Sequence, residues 1–212
     1  MTSSARRAET RVAVFARAPI AGETKTRLVP VLGPEAAARL HESLVRRALE
    51  TAAASRIGPV ELWCAPDSSH PFFARCAAQH ALVLREQRGR DLGERMEAAF
   101  EAALGENAAL VVIGSDCPAL TPATLREAAA ALADHDAVVA PAEDGGYVLV
   151  GLSKPVPGLF AGIAWGGPGV MQATQARLEA AGTRWKELET LWDIDRPDDY
   201  ARLEREGLLR SP

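Results

Sequence analysis

Cysteine is scarce in this 212-residue chain: Cys64, Cys76 and Cys117 are the only three, and no CxxC pair is present. An odd number of cysteines without that spacing argues against a disulfide framework and against a zinc cluster. Free thiols are typical of a reducing compartment. We therefore predict a cytoplasmic protein without a disulfide framework.

Long apolar runs and an excess of charge of one sign are also missing. No stretch approaches the roughly 20 apolar residues that a membrane-spanning helix needs. The first ten residues contain arginines, but the apolar run behind them, residues 12–16, is too short for a signal peptide. We expect residues 1–10 to form a flexible tail. The net charge is −4, which gives no electrostatic reason to expect nucleic acid or a membrane as a partner.

Three common site motifs are absent as well. The chain contains no GxxxxGK[ST] phosphate loop, no GxGxxG dinucleotide loop and no GxSxG nucleophile elbow. Its four histidines have no spacing typical of metal ligands: His41 falls within a predicted helix, and the others fall in predicted loops or at the surface. They are His41, His70, His80 and His135.

Short apolar runs do alternate with alanine-rich segments of helical periodicity along the whole chain. We predict strands at residues 12–16, 60–64, 110–113, 138–140 and 148–151, and helices at residues 34–54, 93–104 and 124–134. A last helix begins after Asp195-Arg196-Pro197 and ends near Gly207. This alternation indicates one α/β domain over residues 11–212, with a mostly parallel sheet and helices on both faces. No linker, repeat or low-complexity tract divides it.

A group of cations follows the first predicted strand. Arg17, Lys25 and Arg27 surround Gly22 in the segment FARAPIAGETKTRL. Ligands of parallel α/β sheets bind at the carboxyl ends of the strands, and Arg and Lys are the side chains that hold phosphate. A phosphate-binding loop is therefore one interpretation, and an ordinary solvated basic loop is the other.

Carboxylates follow later strands. Asp116 comes directly after the strand at 110–113, where it suits Mg²⁺, although Asp also caps turns and helices routinely. Glu143 and Asp144 precede a pair of glycines, but Asp-Gly is equally typical of a simple hairpin turn. Near the end, WDIDRPDDY holds Asp195, which becomes a second metal ligand only if it folds back towards Asp116.

Five blocks in this order resemble one known family. They are FARAPIAGETKTRLVPVLG, DLGERMEAAF, GSDCPALTP, EDGGYVLVGL and WDIDRPDDY. The family comprises small nucleotide-diphospho-sugar-transferase-like proteins of the GT-A (Rossmann-like) fold, described either as a domain of unknown function or as glycosyltransferases linked to arsenosugar biosynthesis or radical-SAM gene clusters. The phospholactate and molybdopterin guanylyltransferases are related to it. The resemblance covers nearly the whole chain after residue 10.

The resemblance implies a role for each block. Arg17, Lys25 and Arg27 would hold nucleotide phosphates, and Asp116 with Asp195 would bind Mg²⁺ or Mn²⁺. The DLG block would lie near the nucleotide and the EDGGY block near the sugar or acceptor, where Glu143 or Asp144 could deprotonate an acceptor hydroxyl. These two blocks add Asp91, Gly93, Glu143, Asp144, Gly145, Gly146 and Tyr147. The resemblance leaves a homodimer open.

The resemblance also leaves the reaction open. We expect a metal-dependent glycosyltransferase that moves a sugar from a nucleotide-diphospho-sugar to a small-molecule acceptor. Typical GT-A glycosyltransferases carry a DxD motif, whereas Asp116 stands here between Ser115 and Cys117. Nucleotidyl transfer, joining an NTP to a phosphorylated small molecule with release of pyrophosphate, is therefore the second hypothesis. A non-catalytic nucleotide-binding module is the third.

Overall fold

The computed structural model of the chain describes residues 10–106 and 108–208. Seven strands lie in it: β1 Thr10–Arg17, β2 Val60–Ala65, β3 Val83–Glu86, β4 Ala109–Gly114, β5 Ala137–Pro141, β6 Tyr147–Leu152 and β7 Trp185–Glu187. The α-helices are α1 Val29–Leu32, α2 Pro34–Ser55, α3 Pro71–His80, α4 Leu92–Gly105, α5 Pro122–Ala131, α6 Val170–Ala180 and α7 Pro197–Arg205. A 3₁₀ turn at Thr26–Leu28 precedes α1.

The seven strands form one sheet in the order β3-β2-β1-β4-β6-β5-β7. Only β6 runs against its neighbours β4 and β5; the other pairings in the sheet are parallel. Val12 of β1 lies beside Val60 of β2 and Val111 of β4, so the two strands that carry the predicted site loops are adjacent. Their carboxyl ends therefore open at the same edge of the sheet.

Apolar side chains cover both faces of this sheet because successive strand residues point to opposite sides. On one face, Val12 and Val14 pack in a cluster that includes Leu49 of α2 and Leu125 of α5. On the other face, Phe15 belongs to a second cluster with residues of α4 and α6. The predicted sheet covered by helices on both faces is confirmed.

A third apolar cluster joins the loop after β1 to the carboxyl-terminal segment. It consists of Leu28, Leu40, Leu44, Trp192, Ile194 and Leu203. Leu28 and Ile194 are fully buried, although they are distant in sequence. This packing fixes the cationic loop against residues 192–195, and burying side chains of this size contributes about 1.5–3 kcal/mol each.

The five predicted strands and three predicted helices are all present, with different ends. The largest difference is in α5, which begins at Pro122 after the Thr121 cap and ends at Ala131, so that residues 132–134 form a turn and not the end of the helix. Thr10 belongs to β1 and not to a flexible tail; residues 1–9 of that predicted tail lie outside the described residues. The last helix is confirmed at Pro197–Arg205.

Two other expectations concern cysteines and membranes. Cys64, Cys76 and Cys117 are free thiols, and all three are buried. Among the helices of residues 10–106 and 108–208, none has the length and apolar character needed to cross a bilayer.

Candidate functional site

The loop after β1 places its cations through buried anchors. Thr24 is buried and its hydroxyl donates to the carbonyl of Ile20 at 3.0 Å, while Leu28 enters the third apolar cluster. Between these anchors Lys25 has φ 51° and ψ 41°, a left-handed conformation that non-glycine residues seldom adopt and that is found often at functional sites. The loop is thus held in one conformation that turns Lys25 inwards.

Lys25 and Asp116 form the central ion pair of the site. Lys25 Nζ lies 2.8 Å from Asp116 Oδ2, and its side chain is only 5% exposed whereas that of Asp116 is 40% exposed. Lys25 also donates to the carbonyl oxygen of Ile194. Burial acts to raise the pKa of Asp116, but the positive charge of Lys25 and the nearby His41 outweigh it and hold that pKa below its usual range. Asp116 is therefore a carboxylate at neutral pH, and one side of it remains open to a ligand.

Asp195 lies near this pair because the segment around it folds back towards Asp116. This was the condition for Asp195 to serve as a second metal ligand. The amide of Ile194 donates to the backbone carbonyl of Asp116 at 2.9 Å. The side chain of Asp195 pairs with that of Arg27, and its own amide donates to Asp199 at 3.0 Å. Arg27 and Asp195 thus form a second ion pair beside the Lys25–Asp116 pair.

These groups line a cleft of about 690 Å³ at the carboxyl ends of β1 and β4. The predicted site residues that line it are Arg17, Lys25, Arg27, Asp91, Asp116 and Asp195. Its lining is strongly charged and includes residues from the exits of β1 and β4, features that suit a phosphorylated ligand. Seven other predicted residues lie outside the lining: Gly22, Gly93, Glu143, Asp144, Gly145, Gly146 and Tyr147.

The DLG block contributes to the cleft mainly by shaping it. Asp91 caps α4, since its carboxylate accepts from the amide of Glu94 at 2.9 Å. Gly93 is buried, and a side chain there would clash with the carbonyl of Phe160 and the indole of Trp165. Gly93 therefore allows α4 to approach the 160–165 loop and does not face a ligand.

The EDGGY block forms a hairpin turn between β5 and β6, which was the simpler of its two interpretations. Asp144 accepts from the amide of Gly146 at 2.8 Å, and exposed Glu143 pairs with Arg202 at 2.9 Å. The hydroxyl of Tyr147 lies 3.9 Å from the sulfur of Met96, and burial raises the Tyr147 pKa. Glu143 and Tyr147 are thus engaged by the protein itself, whereas Asp144 is exposed.

Asp193, which received no predicted role, is electrostatically coupled to both acidic blocks. Burial, followed by the negative charges of Asp144 and Asp116, raises the Asp193 pKa to about 6. The carboxylates of Asp116, Asp144 and Asp193, which come from three separate sequence blocks, are therefore electrostatically coupled.

Sequence reasoning missed His41 and two arginines. His41 of α2 is buried but lines the cleft, and Arg90 and Arg95 add positive charge beside Asp91. The signal for His41 was present: it lies on the stripe of Ala37, Leu44 and Ala48 that faces the core. A histidine on that stripe is a buried polar group that needs a partner.

No group of three His, Cys, Asp or Glu side chains in the described part of the chain is arranged to enclose a metal ion. A divalent cation with phosphate and water ligands needs only one or two protein groups, however. Asp116 offers an ionised oxygen, and the Nδ1 atom of His41 is buried without a hydrogen-bond partner 3.8 Å from it. The residues present thus fit a site that a phosphorylated substrate completes.

Comparisons with known proteins identify the family and the fold. The family described as uncharacterized proteins conserved in bacteria (DUF2064) matches residues 48–167, more than half of the chain. None of the curated proteins matches this chain. A solved candidate nucleotide-diphospho-sugar transferase from Desulfovibrio desulfuricans G20 has 31% sequence identity and a TM-score of 0.86, over 94% of this chain and 88% of that one.

Two more distant structures share the fold. A nucleotidyl transferase from Methanothermobacter superposes with a TM-score of 0.63 at 16% identity, over 96% of this chain and 99% of that one. The Rv0371c protein of Mycobacterium tuberculosis H37Rv, solved in complex with manganese, gives 0.52 at 19% identity, over 92% and 97%. The resemblance read from the five sequence blocks is confirmed: the fold is that of the nucleotide-diphospho-sugar transferases, and the chain belongs to the DUF2064 family.

Proposed function

We propose that this protein is a metal-dependent glycosyltransferase that moves a sugar from a nucleotide-diphospho-sugar to a small-molecule acceptor. The observation that carries the proposal is the Lys25–Asp116 pair at 2.8 Å, set in a charged cleft at the ends of two adjacent parallel strands. Such a cleft combines cations for phosphate oxygens with an ionised carboxylate for a metal. The 31% identical relative supports a nucleotide sugar as the donor.

The cations of the cleft would bind the diphosphate. Arg27 offers a planar fork that matches two phosphate oxygens, while Lys25 supplies a buried point charge. Arg17 extends the positive surface along the end of β1. Because phosphate carries more charge than a carboxylate, it would compete with Asp195 for Arg27 and with Asp116 for Lys25, and both aspartates would then be available to a cation.

Asp116 and Asp195 would hold Mg²⁺ or Mn²⁺ together with the phosphates. When bound, such a cation neutralises the charge that develops on a departing nucleoside diphosphate. The manganese complex of the mycobacterial neighbour supports a divalent ion in this fold. The protein itself contributes preorganised charge, which is the largest source of catalysis in sites of this type.

Asp144 is the candidate base for the acceptor. It is exposed at the tip of the β5–β6 turn, and its negative charge acts on the half-buried Asp193, on which Asp116 acts too. Glu143, the alternative, pairs with Arg202 and would have to leave that partner first. We therefore assign removal of the acceptor proton to Asp144, and we assign the surrounding Gly145 and Gly146 to the acceptor side of the site.

Nucleotidyl transfer is the second candidate, favoured by the isolation of Asp116. Asp116, the aspartate directly after β4, is not part of a DxD motif, and the Methanothermobacter structure with the same fold is a nucleotidyl transferase. In that reaction Lys25 and Arg27 would stabilise the α-phosphate while a substrate phosphate attacks and pyrophosphate leaves. A third candidate, a non-catalytic nucleotide binder, would use the same cations without turnover.

A thermal-shift screen separates these candidates. UDP-, GDP-, ADP- and CDP-sugars and the four NTPs are each added with and without Mg²⁺ or Mn²⁺. A ligand at 100 times its Kd stabilises the protein by about 2.7 kcal/mol. Stabilisation by one nucleotide sugar beyond its parent nucleotide, followed by acceptor-dependent release of the diphosphate, supports glycosyl transfer. A preference for an NTP with pyrophosphate release supports the second candidate, and a shift without turnover supports the third.

A further inference from the structure

The side chain of His41 is fixed in a single orientation inside the site. It is 6% exposed, and its Nε2 atom lies 3.0 Å from the backbone carbonyl of Arg17. A carbonyl only accepts hydrogen bonds, so Nε2 carries the proton that joins them. In the neutral imidazole the other nitrogen, Nδ1, then carries no proton and has a free lone pair.

This lone pair faces the carboxylate that the proposed metal would use. Nδ1 is buried, has no hydrogen-bond partner among residues 10–106 and 108–208, and lies 3.8 Å from Asp116 Oδ1. The other oxygen, Oδ2, is engaged by Lys25 at 2.8 Å, and Oδ1 accepts from the hydroxyl of Ser115 at 3.1 Å. Two electron-rich atoms thus face each other across a gap that is too long for a hydrogen bond between them.

An unpaired buried polar atom costs free energy, so a site that keeps one normally has a use for it. A divalent ion binds oxygen or imidazole nitrogen at roughly 2.0–2.2 Å. The 3.8 Å gap is shorter than two such bonds together, so one ion can contact both Nδ1 and Oδ1. Phosphate and water oxygens would complete its coordination.

We propose that His41 Nδ1 and Asp116 Oδ1 bind the same divalent cation, and that His41 makes the site prefer Mn²⁺ or another first-row transition ion to Mg²⁺. The inference rests on the proposed function, since it assumes a metal at Asp116. Its physical basis is that imidazole is a good ligand for transition ions, while Mg²⁺ prefers oxygen. His41 therefore adds a selectivity that Asp116 and Asp195 alone do not provide.

Electron spin echo spectroscopy of bound Mn²⁺ tests this directly. The intact chain is loaded with Mn²⁺ in the presence and absence of pyrophosphate, a probe that contains no nitrogen. We expect modulation from a coordinated ¹⁴N nucleus, replaced by a ¹⁵N signal when the protein is labelled with ¹⁵N-histidine. Bound Mn²⁺ without nitrogen modulation would overturn the assignment of His41 but leave the proposed function standing. Failure to bind Mn²⁺ or Mg²⁺ under any condition would overturn both.

Variants identify which histidine is responsible. His41→Gln should lose the nitrogen modulation and reduce the ratio of Mn²⁺ to Mg²⁺ affinity by about tenfold or more, the size of effect typical of a changed metal environment. His135→Gln is the matched control, because His135 bonds to the carbonyl of Ala131 at the end of α5 and lies outside the cleft lining. Unchanged modulation and an unchanged affinity ratio in His41→Gln would contradict the proposal.

Discussion

At the scale of single residues, Asp116 carries most of the proposed chemistry. Its carboxylate contacts the buried Lys25, faces His41 and remains 40% exposed to the cleft. A group of this kind does two things at once: it neutralises a buried lysine before the ligand binds, and it offers oxygen to a cation afterwards. Its replacement therefore affects both the free protein and the bound complex.

We expect Asp116→Asn to lower metal-dependent turnover by on the order of 10²-fold or more, as loss of one preorganised charged group does in other enzymes. The measurement is the initial rate with the nucleotide that the thermal-shift screen selects. Exposed Asp134 lies outside the cleft lining, so Asp134→Asn should keep the parent rate. Full turnover by Asp116→Asn would remove this residue from the mechanism.

The residues of the site were predictable to different degrees. Lys25 and Asp116 were predicted because strand ends and charged side chains are both visible in a sequence. His41 was not, because its place on the apolar face of a helix indicates burial but does not show which groups its two nitrogens will face. Glu143 was predicted to lie near the ligand. Its pairing with Arg202 of α7 could not be predicted, because α7 is distant along the chain.

At the scale of elements, the turn between β5 and β6 supports the loop that leads into α6. The amide of Met171 donates to the carbonyl of Gly145 at 2.8 Å, which anchors the first turn of α6. Gly145 itself has φ 90°, and a Cβ added there would lie 2.2 Å from the carbonyl oxygen of Pro168. The turn and the 165–169 loop are therefore held together by a contact that only glycine allows.

We expect Gly145→Ala to lower the free energy of unfolding by about 1–3 kcal/mol or more, from backbone strain together with this clash. Gly166→Ala is the matched control: Gly166 also has positive φ, 79°, but nothing lies within 4 Å of an added Cβ. Urea unfolding of both variants should give the larger loss for Gly145→Ala. Equal losses would mean that the contact with Pro168 adds nothing to the strain.

Asp136 ties together the ends of three strands just before β5. Its carboxylate lies 2.7 Å from Lys154 Nζ and accepts from the amide of Arg184 at 3.3 Å. The hydrogen bond from Lys154 is the main reason that the Asp136 pKa is lowered, and the amide and charge of Arg184 add to it. Because the folded pKa is lowered, the stabilisation is present above the unfolded value, about 3.9, and is lost as the pH falls through the folded value.

Asp136→Asn should therefore reduce stability at pH 7 by about 0.5–1 kcal/mol, as expected for a partly exposed ion pair. The difference from the parent protein should shrink as the pH falls below about 4. Denaturant unfolding of both proteins at pH 7 and pH 3 measures this. A difference of the same size at both pH values would show that the charge of Asp136 is not the cause.

Elements differ in how far the sequence reveals them. The central strands were predicted because burial on both faces leaves a continuous apolar run. The edge strands β3 and β7 were not, because each is short and largely accessible and therefore carries no such run. Helices α3 and α6 were missed as well, and their ends adjoin loops whose conformation depends on contacts with the rest of the chain.

At the scale of the whole molecule, the alternation of strands and helices predicted a parallel sheet with ligands at one edge. It did not predict the strand order, in which β6 is inserted antiparallel between β4 and β5. Nor did it show that residues 192–195 return to the loop after β1 through the cluster of Leu28, Trp192 and Ile194. That return depends on contacts between residues about 165 positions apart, which short-range patterns do not contain.

The central claim is that the cations at the end of β1 bind nucleotide phosphates opposite Asp116. The most direct test is calorimetric titration of UDP, GDP, ADP and CDP, each with Mn²⁺, into the parent protein and two variants, Arg27→Ala and Arg126→Ala. Arg126→Ala is the control, because Arg126 is an exposed arginine of α5 outside the cleft lining. We expect one of these diphosphates to bind the parent protein. Arg27→Ala should weaken its binding about tenfold or more, because a charge-assisted hydrogen bond contributes about 1.5–3 kcal/mol. Arg126→Ala should leave the Kd unchanged. Equal binding by all three proteins, or binding of none of the four diphosphates, would contradict the claim.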